Sequence, residues 1–103
     1  MTFMILVMFL GPLRLIRITS GSMEPALKTG SYQVVNRGFS FEKIKAGDIV
    51  VFIVAGGGKA AHRVIEIRSD GLITKGDANE MPDLFLVTKE NFYGKITSWK
   101  NEF

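Results

Sequence analysis

The feature that most constrains the fold is a continuous apolar run, Ile49-Val50-Val51-Phe52-Ile53-Val54, with glycines on both sides. Gly47-Asp48 precedes this run and Gly56-Gly57-Gly58 follows it. A short run of β-branched and aromatic residues between turn signals is typical of a strand that is buried on both faces. The sequence therefore predicts a central strand at 49–54, followed by a hairpin turn at the three glycines.

Other short segments with alternating or β-branched composition surround this run. They predict strands at 15–19, 31–36, 60–68, 72–74, 84–87 and 93–97, with a hairpin turn at Asp70-Gly71. No long segment has the period of a helix, and no linker or repeat divides the chain. Seven short strands with close turn signals predict a mostly-β fold, either a sandwich or a partly open barrel.

The composition removes several kinds of chemistry. The 103 residues include no cysteine and one histidine, His62, which excludes a thiol nucleophile, a disulfide framework and any metal site built from cysteines or several histidines. The segment Gly56–Lys59 lacks the spacing of a phosphate-binding loop, and the acidic segment 77–83 lacks the alternation of a calcium loop. We therefore expect no metal and no cofactor.

The charge is modestly basic, with a formal net charge of +3 and a pI near 9.4. The lysines and arginines are scattered singly and form no run or stripe. A nucleic-acid-binding domain usually concentrates its basic residues on one face. This distribution is more typical of a solvated surface, so we expect no nucleic-acid partner.

The first thirteen residues are nearly all apolar. A membrane-spanning helix needs about 20 such residues, and three interpretations of the shorter segment stay open. It is the end of a membrane anchor whose start is missing, a short or interfacial anchor, or an apolar element packed on the domain. A cleaved signal peptide fits poorly, because no basic residues precede the run. We place the domain boundary after Leu13, which gives a segment 1–13 and a domain 14–103.

The flanking charges bear on the orientation of such an anchor. Arg14 and Arg17 follow the apolar run, and no lysine or arginine precedes it. Positive residues favour the cytoplasmic side of a membrane. This pattern argues against an orientation with the N-terminus in the cytoplasm.

A serine-containing turn, Ser20-Gly21-Ser22-Met23-Glu24-Pro25, follows the first predicted strand. A serine hydroxyl becomes an effective nucleophile when a neighbouring base takes its proton. Gly21 permits close approach of a substrate, and the Ser20 hydroxyl could stabilise an oxyanion beside the backbone N–H of Ser22. Taken alone, the segment is more typical of an ordinary turn.

His62 is the candidate base, because imidazole exchanges a proton near neutral pH. A desolvated Lys59 or Lys75 is the alternative, and a lone histidine beside alanines is more often structural. Asp77 and Asp83 lie in one polar loop and could hold the imidazole in its working tautomer. Aspartates are also common in turns for local reasons.

With these segments taken together, the chain resembles the type I signal peptidases. More narrowly, it is similar to their endoplasmic-reticulum and archaeal branch, which uses serine and histidine. The serine box matches at 20–25 and a buried-strand box at Gly47–Phe52, while the base box matches at His62-Arg63-Val64 and the last box at Lys75–Asn79. The bacterial Ser-Lys branch has lysine where this chain has His62. The boxes occur in the family's order and cover about residues 15 to 97.

This resemblance implies a membrane-anchored serine endopeptidase that removes signal peptides from secreted preproteins after small residues. Ser22 would attack the scissile carbonyl and His62 would transfer the proton. Asp83 would orient His62 and Asp77 would support the active-site loop, although the two aspartates could exchange these roles.

The resemblance also implies where substrate and membrane would lie. Ser20 and the N–H of Ser22 would form the oxyanion hole, and apolar residues near Met23 would form shallow pockets for small side chains. The implied partners are signal peptides and membrane lipid, with room for additional membrane subunits. The catalytic domain would face the extracytoplasmic or ER-lumenal side.

Two other functions are weighed against this one. A self-cleaving repressor-type protease has a similar fold but uses a Ser-Lys dyad, and His62 argues against it, as does the lack of an N-terminal DNA-binding region. A non-catalytic β-domain would keep the boxes as structure and bind preproteins or a membrane partner. The presence of Ser22, His62 and both aspartates favours the enzyme.

Overall fold

The computed structural model describes residues 11–97. Within this range, six strands form one open antiparallel sheet in the order β1-β2-β6-β3-β4-β5. The prediction of a mostly-β fold is confirmed in this form. The strands are β1 (Leu13–Arg17), β2 (Tyr32–Asn36), β3 (Ile49–Ile53), β4 (Lys59–Arg68), β5 (Gly71–Lys75) and β6 (Phe92–Ile96), and a 3-10 turn spans Phe41–Lys43.

The predicted central strand is confirmed as β3, which lies between β6 and β4. Side chains alternate between the two faces of a strand, and here both faces are covered. Ile49 and Val51 belong to one hydrophobic cluster, while Val50 and Phe52 belong to the other. Burial of both faces explains why this run carries no polar residue.

The two predicted hairpins are also confirmed. The β3–β4 connection turns at Gly56 and Gly57, whose φ angles of 92° and 95° favour glycine. The β4–β5 hairpin turns at Asp70.

Strand β4 changes its partners along its length. Residues 59–63 pair with β3, whereas pairing with β5 begins at Arg63 and contains a register shift between Val64 and Glu66. The first residues of β4, up to His62, therefore have no β5 partner, so this strand edge faces the loop that follows β5.

The prediction of a strand at 84–87 is wrong. Leu84 is 99% exposed and belongs to a loop, and Val87 alone forms an isolated bridge with Leu72. The preceding residue, Asp83, donates its backbone N–H to the carbonyl of Thr74 at 2.8 Å. This contact holds the loop to the end of β5, so the apolar residues after it do not extend along the sheet edge.

The predicted membrane segment, 1–13, lies mostly outside the described residues. Its last residue, Leu13, is the first residue of β1 and pairs with Asn36. Among residues 11–97, no helix has the length and apolar character needed to cross a bilayer.

Candidate active site

Ser22 lies on a tight turn that begins shortly after β1. Met23 and Leu27 anchor the turn, since both side chains are buried and the N–H of Leu27 donates to the Met23 carbonyl at 2.9 Å. On the exposed side, Glu24 accepts hydrogen bonds from the backbone and hydroxyl of Thr29 at 3.0 and 2.6 Å. These bonds lower the pKa of the Glu24 carboxyl. The turn that carries Ser22 is therefore held by the buried side chains of Met23 and Leu27 and by the hydrogen bonds between Glu24 and Thr29.

The loop after β5 packs directly against this turn. The backbone N–H of Ala78 donates to the Ser22 carbonyl at 2.8 Å, and that of Asp77 contacts the sulfur of Met23 at 3.3 Å. A methyl group on Gly76 would lie 2.7 Å from the Ser22 carbonyl oxygen. Such close approach requires glycine, and it fixes the loop relative to the serine.

His62, near the start of β4, contacts both other members of the predicted triad. Its Nδ1 lies 2.7 Å from Oδ2 of Asp83, and its Nε2 lies 3.1 Å from Oγ of Ser22. An ionised carboxylate can only accept, so the proton of neutral imidazole resides on Nδ1. Nε2 then accepts, and the Ser22 hydroxyl donates to it. This is the hydrogen-bonding arrangement that a general base requires before it removes a serine proton.

The His62–Asp83 pair is largely shielded from solvent. The two side chains are 13% and 11% exposed, and the Phe52 ring and the imidazole pack in a T-shaped arrangement with centroids 5.9 Å apart. Shielding strengthens a hydrogen bond between charged or polar groups because water competes less. Ser22 contacts the imidazole of this shielded pair through its Oγ, which also lies 3.3 Å from Oγ of Ser20.

Asp77 lies in the same loop but binds a different partner. Its two carboxylate oxygens accept from Nε and Nη2 of Arg63 at 2.9 and 2.7 Å, and Arg63 also donates to the Gly47 carbonyl at 2.8 Å. The hydrogen bonds from Arg63 lower the pKa of Asp77, and those to Asp77 raise the pKa of Arg63. In this geometry Asp83, and not Asp77, contacts the imidazole.

A cleft of about 240 Å³ opens beside Ser22 and His62. It lies between the end of β1 and the first residues of β4, which pair with β3 but have no β5 partner. Met23, predicted to lie near substrate, lines the cleft although it is only 1% exposed. The apolar lining consists of Ile16, Ile18, Met23, Leu27, Val51, Ala60 and Ala61.

Two members of the surrounding network are missed by sequence reasoning. Arg63 belongs to the histidine box, but the sequence indicates no role for it. Thr74 has the sequence context of an ordinary strand residue. The available signal for Arg63 is its place one residue after His62, on the opposite strand face and facing an acidic loop. Thr74 is the polar residue of a short apolar strand, and a polar group there needs a buried partner.

The described residues offer no metal site. Across residues 11–97, no group of three or more histidine, cysteine, aspartate or glutamate side chains is arranged to hold an ion. The acidic residues near His62 are instead engaged by Arg63, Thr74 and His62 itself.

Comparison with known proteins shows the family of this chain. Residues 1–77 match the family described as "Signal peptidase, peptidase S26". This chain belongs to that family. The signal peptidase relatives include signal peptidase I W of Bacillus subtilis (strain 168), which is 31% identical over 87 residues, covering 81% of this chain and 46% of that protein.

Relatives from eukaryotes carry the name of the signal peptidase complex. Its catalytic subunit SEC11 from Lodderomyces elongisporus is 40% identical over 82 residues, which cover 74% of this chain and 48% of that protein. The human catalytic subunit SEC11C is 42% identical over 72 residues, covering 64% of this chain and 37% of that protein. The chain thus spans less than half the length of these signal peptidases. No solved structure matches it at a significant level.

Proposed function

We propose that this protein is a serine endopeptidase that removes signal peptides from preproteins, with Ser22 as nucleophile and His62 as general base. The observation that carries the proposal is the contact of the two nitrogens of His62 with Ser22 and Asp83, at 3.1 and 2.7 Å. A histidine held between a hydroxyl and a carboxylate in this way is positioned to transfer a proton.

In the first half of the reaction, Oγ of Ser22 bonds to the scissile carbonyl carbon while its proton moves to Nε2 of His62. Asp83 stabilises the imidazolium that forms, because its carboxylate accepts a hydrogen bond from the Nδ1–H group, with Nδ1 and Oδ2 2.7 Å apart. The C–N bond then breaks, and the proton on Nε2 passes to the leaving amine. The products are a free amine and an ester between the signal peptide and Ser22.

In the second half, water attacks the ester carbonyl and gives a proton to Nε2 of His62. The bond between the carbonyl carbon and Oγ of Ser22 breaks, and the proton on Nε2 returns to Oγ. The signal peptide leaves as a carboxylic acid, and the enzyme regains its starting protonation. No cofactor enters either half.

The negative charge on the carbonyl oxygen requires hydrogen-bond donors in both halves. We assign this role to the backbone N–H of Ser22 and the hydroxyl of Ser20, whose Oγ lies 3.3 Å from that of Ser22. The Ser20 hydroxyl can rotate toward the oxyanion once Ser22 has left its ground-state position. Asp77 serves differently, since its pairing with Arg63 holds the loop that supports Ser22.

The cleft suits an extended peptide with small apolar side chains. β1 is an edge strand of the described sheet, and the first part of β4 lacks a β5 partner. Both offer backbone groups to a peptide that enters as an additional strand. Ala60 and Ala61 line the cleft together with Ser22 and His62. A shallow apolar wall admits alanine or glycine before the cut bond and excludes bulky residues.

The names of the relatives support a proposal for where this reaction takes place. The eukaryotic relatives are named as catalytic subunits of a signal peptidase complex. For this chain we propose action at a membrane, on its extracytoplasmic or lumenal side, where preproteins emerge. Lipid contact and further membrane subunits belong to the same proposal.

The proposal is tested by the position of the cut in a preprotein that carries a small-x-small site. The chain is incubated in detergent with this preprotein, and the product ends are identified by mass spectrometry. We expect a cut directly after the second small residue of this site. A second preprotein with phenylalanine in place of that residue is expected to remain whole, because we propose that the wall beside Ser22 accepts only small side chains.

Ser22→Ala is the matched control, since it removes one oxygen and leaves the turn anchors in place. Cleavage by wild type and not by this variant supports the proposal. Equal cleavage by both would show that a contaminant or another residue acts. Binding of the preprotein without any cleavage would favour the non-catalytic β-domain.

A further inference from the structure

Thr74 on β5 is fully buried, and its hydroxyl is directed at the site. Its Oγ1 lies 2.6 Å from Oδ2 of Asp83. A carboxylate accepts but does not donate, so the threonine hydroxyl is the donor. Among the buried residues of the described core, Thr74 stands out as polar, with hydrophobic residues making up the rest.

The oxygen that Thr74 contacts is the same one that contacts His62. Oδ2 of Asp83 accepts from the Thr74 hydroxyl at 2.6 Å and from Nδ1 of His62 at 2.7 Å. The backbone of Thr74 holds Asp83 as well, since its carbonyl accepts the Asp83 N–H at 2.8 Å. One strand residue thus contacts both the main chain of the aspartate and the carboxylate oxygen that accepts from His62.

We infer that Thr74 is a positioning residue of the proposed peptidase, acting on His62 through Asp83. Its backbone carbonyl holds Asp83 beside the imidazole. Its hydroxyl, by sharing Oδ2, limits how strongly the carboxylate favours a protonated His62. This inference rests on the proposed function for its catalytic meaning, but the contact itself is measurable without cleavage.

The direction of the effect follows from competition at one oxygen. A hydrogen bond from a hydroxyl disperses part of the negative charge of a carboxylate. When the hydroxyl is removed, more of that charge acts on the Nδ1 proton, and the imidazolium becomes more favourable. His62 would then hold its proton to a higher pH and would be a poorer base near neutrality.

Two substitutions separate the hydroxyl from the packing of Thr74. Thr74→Val keeps the shape and removes the donor, whereas Thr74→Ser keeps the donor and removes a methyl group. A purely structural threonine would tolerate valine in its apolar strand and suffer from the smaller serine. A positioning threonine would instead be impaired by valine, which lacks the donor, and would tolerate serine, which keeps it. Thr74→Cys, with its weak donor, replaces the valine variant if that one does not fold.

The measurement is an NMR pH titration of the His62 ring in the untagged full chain, for wild type and each variant. The chain contains one histidine, so its ring signals need no separation from others. The other charged groups near His62 are Lys59, which lines the same cleft, and Asp77, which interacts with His62 and also with Arg63 and Lys75. All of these are unchanged among the variants, so their contribution is the same in each titration. We expect the titration midpoint of Thr74→Val to rise by about half a pH unit or more, and that of Thr74→Ser to match wild type.

Cleavage of the preprotein is measured on the same samples. Thr74→Val is expected to lose about tenfold in kcat/KM at neutral pH, as for a lost hydrogen bond to a charged group, and Thr74→Ser is expected to retain most activity. A midpoint that is unchanged or lowered in Thr74→Val, or raised as much in Thr74→Ser, would overturn the inference. If no sample cleaves, the proposed function fails, while the titration still decides the role of Thr74.

Discussion

The carbonyl oxygen of Ser22 accepts the backbone N–H of Ala78 at 2.8 Å, which fastens the serine turn to the loop that carries the two aspartates. These segments are more than fifty residues apart in the chain. Because the loop also contains Asp83, a displacement of one segment changes the distance between nucleophile and base. The relationship makes the closely packed Gly76 a sensitive position.

Gly76→Ala should impair both folding and cleavage. The added methyl group would lie 2.6 Å from Nδ2 of Asn79 and 2.7 Å from the carbonyl oxygen of Ser22. Since backbone cannot yield as a flexible side chain does, we expect a loss of about 1 to 3 kcal/mol in the free energy of unfolding. Displacement of Ser22 should lower kcat/KM at least about tenfold. Urea denaturation and preprotein cleavage measure the two effects.

Gly58→Ala provides the matched control for this prediction. A methyl group there meets only Cγ2 of Val54, at an ordinary distance of 3.7 Å. We expect little change in stability or cleavage. Equal behaviour of the two alanine variants would show that the contact between Gly76 and Ser22 is unimportant.

The ion pair between Arg63 and Asp77 should stabilise the fold in a pH-dependent manner. Asp77→Asn is expected to lower the free energy of unfolding at pH 7 by about 1 to 2 kcal/mol, because the bidentate pair is only partly exposed. The folded pKa of Asp77 lies below its ordinary value of 3.8, chiefly through the hydrogen bonds from Arg63. The stabilisation is therefore present above about pH 4 and is lost as pH falls through the lower, folded value.

Urea denaturation of wild type and Asp77→Asn at pH 7 and near pH 2 measures this difference. The gap between the two proteins should narrow at the lower pH. Glu42→Gln is the comparison, since Glu42 pairs with Lys89 on the exposed surface and has a pKa lowered to about 2 by that contact. It should change stability little at pH 7. A gap for Asp77→Asn that stays constant with pH would argue against the ion pair as its cause.

His62→Lys should be inactive near neutral pH, although a lysine can also serve as a base when it is desolvated. Here the carboxylate of Asp83 lies 2.7 Å from the ring and would favour a charged ammonium group. A lysine that retains its proton cannot accept one from Ser22. Initial rates of preprotein cleavage from pH 6 to pH 9 test this expectation. Activity within about tenfold of wild type at pH 7 would be evidence against the assigned base.

Much of the fold is predictable from local patterns, because each signal acts over a few residues. The apolar run at 49–54 and the glycine turn after it require no knowledge of the rest of the chain. The segment 84–87 has similar composition but becomes a loop with a single bridge. Its structure depends on the bond between Asp83 and the Thr74 carbonyl, a contact that local composition does not encode.

The candidate site, like the fold, is predictable only where the local sequence carries the signal. Ser22 and His62 are identifiable because their side chains have distinctive chemistry and neighbours. The resemblance favours Asp83 over Asp77 as the partner of His62, but the residues themselves leave the two open, since both lie in one polar loop. The choice depends on the direction of each side chain. In the structure Asp77 contacts Arg63 and Asp83 contacts His62. Thr74 escapes notice for a related reason, because a threonine in a strand is ordinary until its partner is known.

The most direct test of the account is whether Ser22 and His62 act as one unit. kcat/KM for preprotein cleavage is measured for wild type, Ser22→Ala, His62→Ala and the double variant, with folding checked by circular dichroism. Residues that work in a single step give losses that do not multiply. The account predicts that all three variants fall by about 10³-fold or more to the same residual rate. Substantial activity in either single variant, or a double variant whose loss equals the product of the single losses, would contradict it.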